Sequence, residues 1–384
     1  MNTNNNSDNK FWSDNVKKLS PYVPGEQPKI NNLVKLNTNE NPFAPSPKVL
    51  QTIKDYFLQN NENTNAEFLR LYPNPDSSEL VETLANYHNV ENSQIFVGNG
   101  SDEVLAFAFY ALLNHNNKKV LFPDISYSFY PVYCQFFNIN FQQIPLTTNF
   151  EIDVVNDYLN YKNKDEVGGI IFPNPNAPTG LLVNINLIEK LCTTYANIPI
   201  IIDEAYIDFA EDNINNSALS LLKLKQYKNL LIIRTFSKSR ALAGMRIGYA
   251  IGDSNLITAL NYAKNSFNSY PLDRISQIAA IASVNDENYF QNKRNEVINI
   301  RKNLVLNLQK LNFTIIPSAA NFIFAKHNND NKFSGEFLQN ELRKYNIIVR
   351  RFNSPERIKN YLRITIGNAQ QCDLLIEKLA EIVG

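Results

Sequence analysis

Between residues 48 and 267, short apolar, β-rich runs alternate with stretches of helical period. The pattern predicts strands at 94–97, 119–122, 141–144, 169–172, 199–203 and 230–235. Helices are expected after the Gly98–Gly100 turn, through 127–137 and over 188–195. Most of these strand runs are continuously apolar rather than alternating, the signature of strands covered on both faces. A mainly parallel sheet between helices is therefore predicted.

The pattern changes beyond residue 267. Residues 273–311 read as a long helical region without a strand, broken near Asp286. Strands at 313–316, 321–325, 347–350 and 361–366 then mix with helices at 336–345 and 372–383, which suggests a smaller α+β domain. Residues 20–47 are rich in Pro and Asn and read as an extended arm. The first ten residues are polar, carry no apolar signal segment and are expected to fray. The expected division is an arm over 1–47 packing with the small domain, a large domain over 48–267 and a small domain over 268–384.

Composition narrows the function classes. The 384 residues carry 37 basic and 37 acidic side chains, and 44% are hydrophobic, which excludes a wholly disordered chain. With no net charge and no local basic patch, nucleic acid is not an expected partner. No apolar run is long enough to span a bilayer. Cys134, Cys192 and Cys372 lie far apart, as expected for a reducing cytoplasm. His88, His115 and His327 show no metal-ligand spacing, so no metal site is expected. A serine hydrolase lacks its G-x-S-x-G turn.

Four polar segments sit where apolar strands end, the usual ligand position in open α/β sheets. In Gly98-Asn-Gly-Ser-Asp-Glu103, glycines open a helix whose free N–H groups suit a phosphate; a plain N-cap by Ser101 is the alternative. Asp203-Glu-Ala-Tyr206 follows Ile200-Ile-Ile, so Asp203 either meets a cationic ring nitrogen or is an acidic strand end in water. Arg234-Thr-Phe-Ser-Lys238, with Ala243-Gly-Met-Arg246 after it, offers an amine nucleophile beside anion donors, or an ordinary basic loop. Asn174-Pro-Asn-Ala-Pro-Thr-Gly180 is a turn fixed by two X-Pro bonds, one of which could be cis.

A Schiff-base lysine, an acid for a pyridinium nitrogen and phosphate donors together describe a pyridoxal phosphate site. The matching pieces are LNTNENP (36–42), YP (72–73), GNGSDE (98–103), NPNAPTG (174–180), DEAYIDF (203–209), RTFSKSRALAGMRIGY (234–249), NFIFA (321–325) and LRITIG (362–367). In order and spacing they cover nearly the whole chain beyond its first twenty or so residues. The chain resembles the fold-type I pyridoxal-phosphate-dependent aminotransferases, most closely the histidinol-phosphate branch.

The resemblance implies a large domain with a mainly parallel seven-stranded sheet, and a homodimer. It also implies a role for each matching residue. Lys238 carries the cofactor and acts as general base. Asp203 pairs with the pyridine nitrogen, Tyr206 donates to the ring oxygen and Tyr127 stacks on the ring, unless Tyr127 is simply a core aromatic. Ser101, Asp102, Ser237 and Arg246 bind the phosphate, with Tyr72 reaching in from a second subunit. Arg350 and Arg363 read the anions of histidinol phosphate and of glutamate or 2-oxoglutarate, and Tyr22 and Asn39 close over the substrate. Arg351 is expected to be a solvated neighbour, since adjacent strand residues face opposite ways. The chain departs from the family at Ala177, where relatives usually have an asparagine donating to the ring oxygen; Asn176 or a water is expected to replace it. An aromatic amino acid aminotransferase of the same fold, or a dual-specificity enzyme, is the alternative activity, and a non-catalytic binding or regulatory domain the alternative class.

Overall fold

The computed structural model describes residues 11–59, 67–223 and 227–384; the expectations for residues 1–10 lie outside these. The arm contributes strand β1 (Val34–Leu36). The large sheet is built from β2 (Ile95–Asn99), β3 (Lys119–Pro123), β4 (Asn140–Ile144), β5 (Val167–Pro173), β6 (Ile200–Asp203), β7 (Leu230–Thr235) and β8 (Ile247–Gly252), in the order β2-β8-β7-β6-β5-β3-β4. All neighbours pair in parallel except β8, which is antiparallel to both β2 and β7. The expected α/β fold with seven strands is thus present.

Every residue of β5, β6 and β7 is buried. Because successive side chains alternate between faces, these strands feed two cores. Ile170, Phe172, Ile200, Ile202 and Ile232 meet helices Ser78–His88, Ile185–Thr194 and Arg274–Val284 on one face. Ile171, Ile201, Leu231 and Ile233 meet helices Gly100–Ala108, Tyr130–Phe136 and Ser254–Phe267 on the other. Strand β8 is absent from the sequence expectations. Its run, IGYAIG, carries two glycines that dilute the strand pattern.

The second sheet comprises β9 (Phe313–Ile316), β10 (Phe322–His327), β11 (Ile347–Arg351) and β12 (Leu362–Thr365), in the order β1-β11-β12-β10-β9. β1 pairs in parallel with β11, and Val34 and Leu36 enter the same core as Val349, Ile364 and Leu375. The arm is therefore an integral edge of the small sheet.

Residues 273–311 form two helices, Arg274–Val284 and Glu287–Lys310, separated at Asp286. The first packs Ala279, Ala280 and Val284 into the large-sheet core; the second packs Val297, Leu304 and Leu308 under the small sheet. The cores change over at this break rather than at residue 268, where the composition shifts. An apolar helical stripe records that a helix is buried, not which core receives it. Asp286 itself accepts a hydrogen bond from Ser46 and pairs with Lys48 at 3.2 Å.

Arg301 ties the two bodies together. Its buried guanidinium donates to the carbonyls of Phe209 (3.0 Å) and Ala320 (2.6 Å). Burial pushes it down to about 10 from its usual range. Arg301→Met keeps the stem but leaves both carbonyls without this donor. A loss of about 1–3 kcal/mol per unpaired group is expected, read as a lower urea midpoint at unchanged slope.

Candidate active site

The cleft opens at the carboxyl ends of β2, β5, β6 and β7, where ligands bind in open α/β sheets. At its floor, β2 turns directly into helix Gly100–Ala108. Two glycines permit this close packing. Gly100 has φ +81°, and a Cβ there would stand 2.4 Å from an Arg246 nitrogen. A Cβ on Gly248 of β8 would stand 2.2 Å from the Ser101 nitrogen. The helix start therefore lies against β8, and its first-turn N–H groups have no helical acceptors.

Arg246 comes to the same place on a left-handed backbone (φ +53°) at the end of the loop from Lys238. Its Nη1 reaches Ser237 Oγ at 3.5 Å, and its Nη2 donates to Asp102 at 2.8 Å. Tyr127 Oη donates to the other Asp102 oxygen at 2.7 Å. The Asp102 carboxylate is thus spent on orienting Arg246 and Tyr127. A carboxylate also repels an anion, so it is the backbone N–H of Asp102, in the first turn of the helix, that is available to an anion.

Asp203 ends β6 and is 5% exposed. One carboxylate oxygen accepts from the Ala205 N–H and the other from Tyr130 Oη, both at 3.2 Å. Burial pushes the carboxyl up to about 7, and these two donors oppose the rise. Glu204, its neighbour, points to the other face and forms a buried pair with Arg234 at 2.8 Å.

Lys238 follows β7. Its Nζ donates to the Thr38 carbonyl at 3.2 Å and lies 5.9 Å from the centre of the Tyr206 ring. Asn41 of the arm, within the LNTNENP motif but given no role there, donates to the carbonyls of Lys238 and Ser239. Asn39 lies deeper than a closing lid would. It is buried on a left-handed backbone, donates to Tyr206 Oη at 3.0 Å, accepts from Thr365 Oγ1 at 3.1 Å, and its carbonyl accepts from Asn321. It locks arm, small sheet and Tyr206 together.

Arg350 and Arg363 are directly paired across β11 and β12. Directly opposed residues share a face, so both line the cleft near Tyr22 and Lys238. Neither forms an ion pair among the described residues. Arg363 donates to the Asn37 carbonyl at 2.8 Å and stacks between Phe322 and Phe352. Burial lowers its guanidinium from the usual range. Arg351 takes the opposite face, as expected, but it is not solvated: its side chain is 15% exposed and lies 3.4 Å from Glu336 on helix Gly335–Lys344. The helix packed on that face covers it.

Two expected residues lie elsewhere. Asn176 is turned away from the cleft. Its amide donates to the Ile125 carbonyl (3.0 Å) and Thr179 Oγ1 (3.1 Å), whereas Ala177 lines the cleft. The expected replacement of the missing donor by Asn176 is thereby corrected, because the loop itself consumes this amide; both X-Pro bonds of the loop are cis. Tyr72 is 78% exposed, stacks on Tyr270 and does not line this cleft.

Asp203 generates a pH prediction for the ligand-free protein. Its folded pKa, about 7, lies above the usual carboxyl value. The native state then holds a proton that the unfolded state has released, so stability falls as pH rises between roughly 4 and 7. Asp203→Asn removes this dependence. It should unfold at higher urea than the parent at pH 8, and the gap should narrow steadily as pH falls toward 4. A gap independent of pH would show that Asp203 is not the titrating group.

Comparison with known proteins follows this geometry. Residues 31–379 match the family model for class I and II aminotransferases. The chain is 51% identical over 374 residues to histidinol-phosphate aminotransferase 1 of Hydrogenovibrio crunogenus, covering 97% of this chain and 98% of the relative. It is 48% identical over 372 residues to histidinol-phosphate aminotransferase of Acinetobacter baumannii, covering 97% of each. The crystal structure of the Clostridium acetobutylicum histidinol-phosphate aminotransferase superposes with a TM-score of 0.79 at 25% identity, covering 91% of this chain and 99% of that one. The Sinorhizobium meliloti enzyme in complex with pyridoxal-5'-phosphate shares the fold, with a TM-score of 0.79 at 21% identity over 91% of this chain and 90% of that one. The amine, the buried carboxylate and the anion donors gathered at one sheet edge thus sit in a chain that belongs to the class I and II aminotransferase family.

Proposed function

We propose that this chain interconverts histidinol phosphate plus 2-oxoglutarate with imidazole acetol phosphate plus glutamate, in histidine biosynthesis, using pyridoxal 5'-phosphate. One observation carries the substrate side of this reading. Two arginines without acidic partners face the same cleft as Lys238, which suits amines bearing a remote phosphate or carboxylate. The cleft's polar lining by Gln27, Asn37, Ser126 and Ser128 favours an imidazole over a purely apolar aromatic ring.

The residues fit the cofactor. Close packing of the helix start against β8, which a Cβ at position 100 or 248 would break, presents Ser101 and Arg246 to the cleft. Asp203 is buried with no cation paired to it among the described residues. Bound there, pyridoxal phosphate supplies an electrophilic carbonyl and a ring that accepts electrons. Ser101, Ser237, Arg246 and the first-turn N–H groups would hold its phosphate. Asp203 would hold the ring nitrogen protonated, Tyr206 would face the ring oxygen and Tyr127 would cover the ring. Ala177 leaves the ring oxygen without a side-chain donor opposite Tyr206. Lys238 would carry the covalent link, and its free amine would take the proton from the substrate Cα; held proximity would make that transfer effectively intramolecular. Arg363, with Arg350, grips the remote anion, and Tyr22 borders it.

The working form is inferred to be a cytoplasmic homodimer. Tyr72 stands exposed with its chain neighbours Leu69 and Leu71 and stacks on Tyr270, itself exposed, which supports a second copy seated there. No helix among the described residues is long and apolar enough to cross a membrane.

The deciding assay is transamination with histidinol phosphate and 2-oxoglutarate, compared by kcat/KM with phenylalanine and tyrosine as amino donors. A higher value for the aromatic amino acids would favour the alternative activity. Borohydride reduction and peptide mapping should place the pyridoxyl group on Lys238, and Lys238→Ala should lose turnover by orders of magnitude. Arg363→Ala should lower kcat/KM for both substrates by about 10- to 100-fold, the worth of one charge-assisted contact. Loss for one substrate alone would assign the other's anion to a different residue.

A further inference from the structure

Tyr130 is absent from every motif above, yet it alone among the described side chains hydrogen-bonds Asp203. It begins helix Tyr130–Phe136, is fully buried, and packs its ring among Phe109, Phe122 and Tyr127. That packing leaves the hydroxyl no route to water, and its proton goes to Asp203 Oδ2 at 3.2 Å. The Ala205 N–H holds the other oxygen. Of the ionisable groups around Asp203, Asp102 on helix Gly100–Ala108 and Glu204 next along the chain oppose its charge, Tyr127 and Tyr133 are neutral phenols, and the cations Lys238 and Arg246 line the same cleft without hydrogen-bonding it.

We propose that Tyr130 is a positioning residue that keeps Asp203 ionised and aimed at the cofactor's ring nitrogen. This rests on the pyridoxal phosphate reading above. The physical reason is direct. A hydrogen bond donated to a carboxylate stabilises the charged form over the acid. When Asp203 and a ring nitrogen share one proton, a donor on the far side of the carboxylate moves that proton toward the ring. A protonated ring is the better electron acceptor, so Tyr130 acts on the reaction without touching substrate or cofactor.

The test compares pyridoxal phosphate with its 1-deaza analogue, which keeps the aldehyde and phosphate but has carbon in place of the ring nitrogen. The wild-type protein should prefer pyridoxal phosphate. Tyr130→Phe should shrink that preference by about tenfold, the worth of a hydrogen bond to a charged group. With cofactor labelled with nitrogen-15 in the ring, the same variant should move the resonance toward that of an unprotonated pyridine. Tyr158→Phe removes another buried hydroxyl, one with no partner, and should change neither reading. If Tyr130→Phe does not fold, 3-fluorotyrosine at position 130, a stronger donor of the same shape, should widen the preference. An unchanged preference and resonance in Tyr130→Phe, or an unchanged preference with fluorotyrosine, overturns the proposal. A wild-type protein that binds neither compound overturns the cofactor reading, and the proposal with it.

Discussion

The structure turns on one buried negative charge. Asp203 sits at the end of a strand whose every residue is buried, beside two further acids and with no cation paired to it among the described residues. Taking a carboxylate out of water is costly unless donors or a counter-charge meet it. Here two hydrogen bonds meet it in part, and burial still pushes it up to about 7. The site is electrostatically incomplete on its own, and the proposed pyridoxal phosphate reading rests on that.

The surrounding elements serve that arrangement. Parallel pairing of β5, β6 and β7 brings their carboxyl ends to one edge, so Asp203 and the Ser237–Lys238 segment arrive together. Antiparallel β8 then returns beside β7 and packs Gly248 against the first turn of helix Gly100–Ala108. This brings Arg246 next to Ser237 and Asp102. On the far wall, the β11–β12 register sets Arg350 opposite Arg363. The arm joins both walls, through β1 on one side and through Asn39 and Asn41 on the other. Buried cations outside the cleft lock these parts: Arg234 on Glu204, and Arg301 on the carbonyls of Phe209 and Ala320.

The sequence by itself determined a good deal. Continuous apolar runs marked β5, β6 and β7 as strands covered on both faces, the setting in which parallel sheets occur. Polar segments at the ends of those runs located the cleft, and Lys238, Asp203, Ser101 and Arg246 were visible there by chemistry alone. Strand alternation also sent Arg350 and Arg351 to opposite faces. Only the tertiary structure decided what each polar atom does. It spends the Asn176 amide within its own loop, the Asp102 carboxylate on Arg246 and Tyr127, and Asn39 on Tyr206. It hid β8 behind two glycines and gave helix Arg274–Val284 to the large core. It also brought Tyr130, 73 residues away in sequence, onto Asp203. The reason is common to all of these. Periodicity encodes which face of an element is buried, whereas hydrogen-bond partners depend on distances between elements remote in the chain, which no local pattern carries.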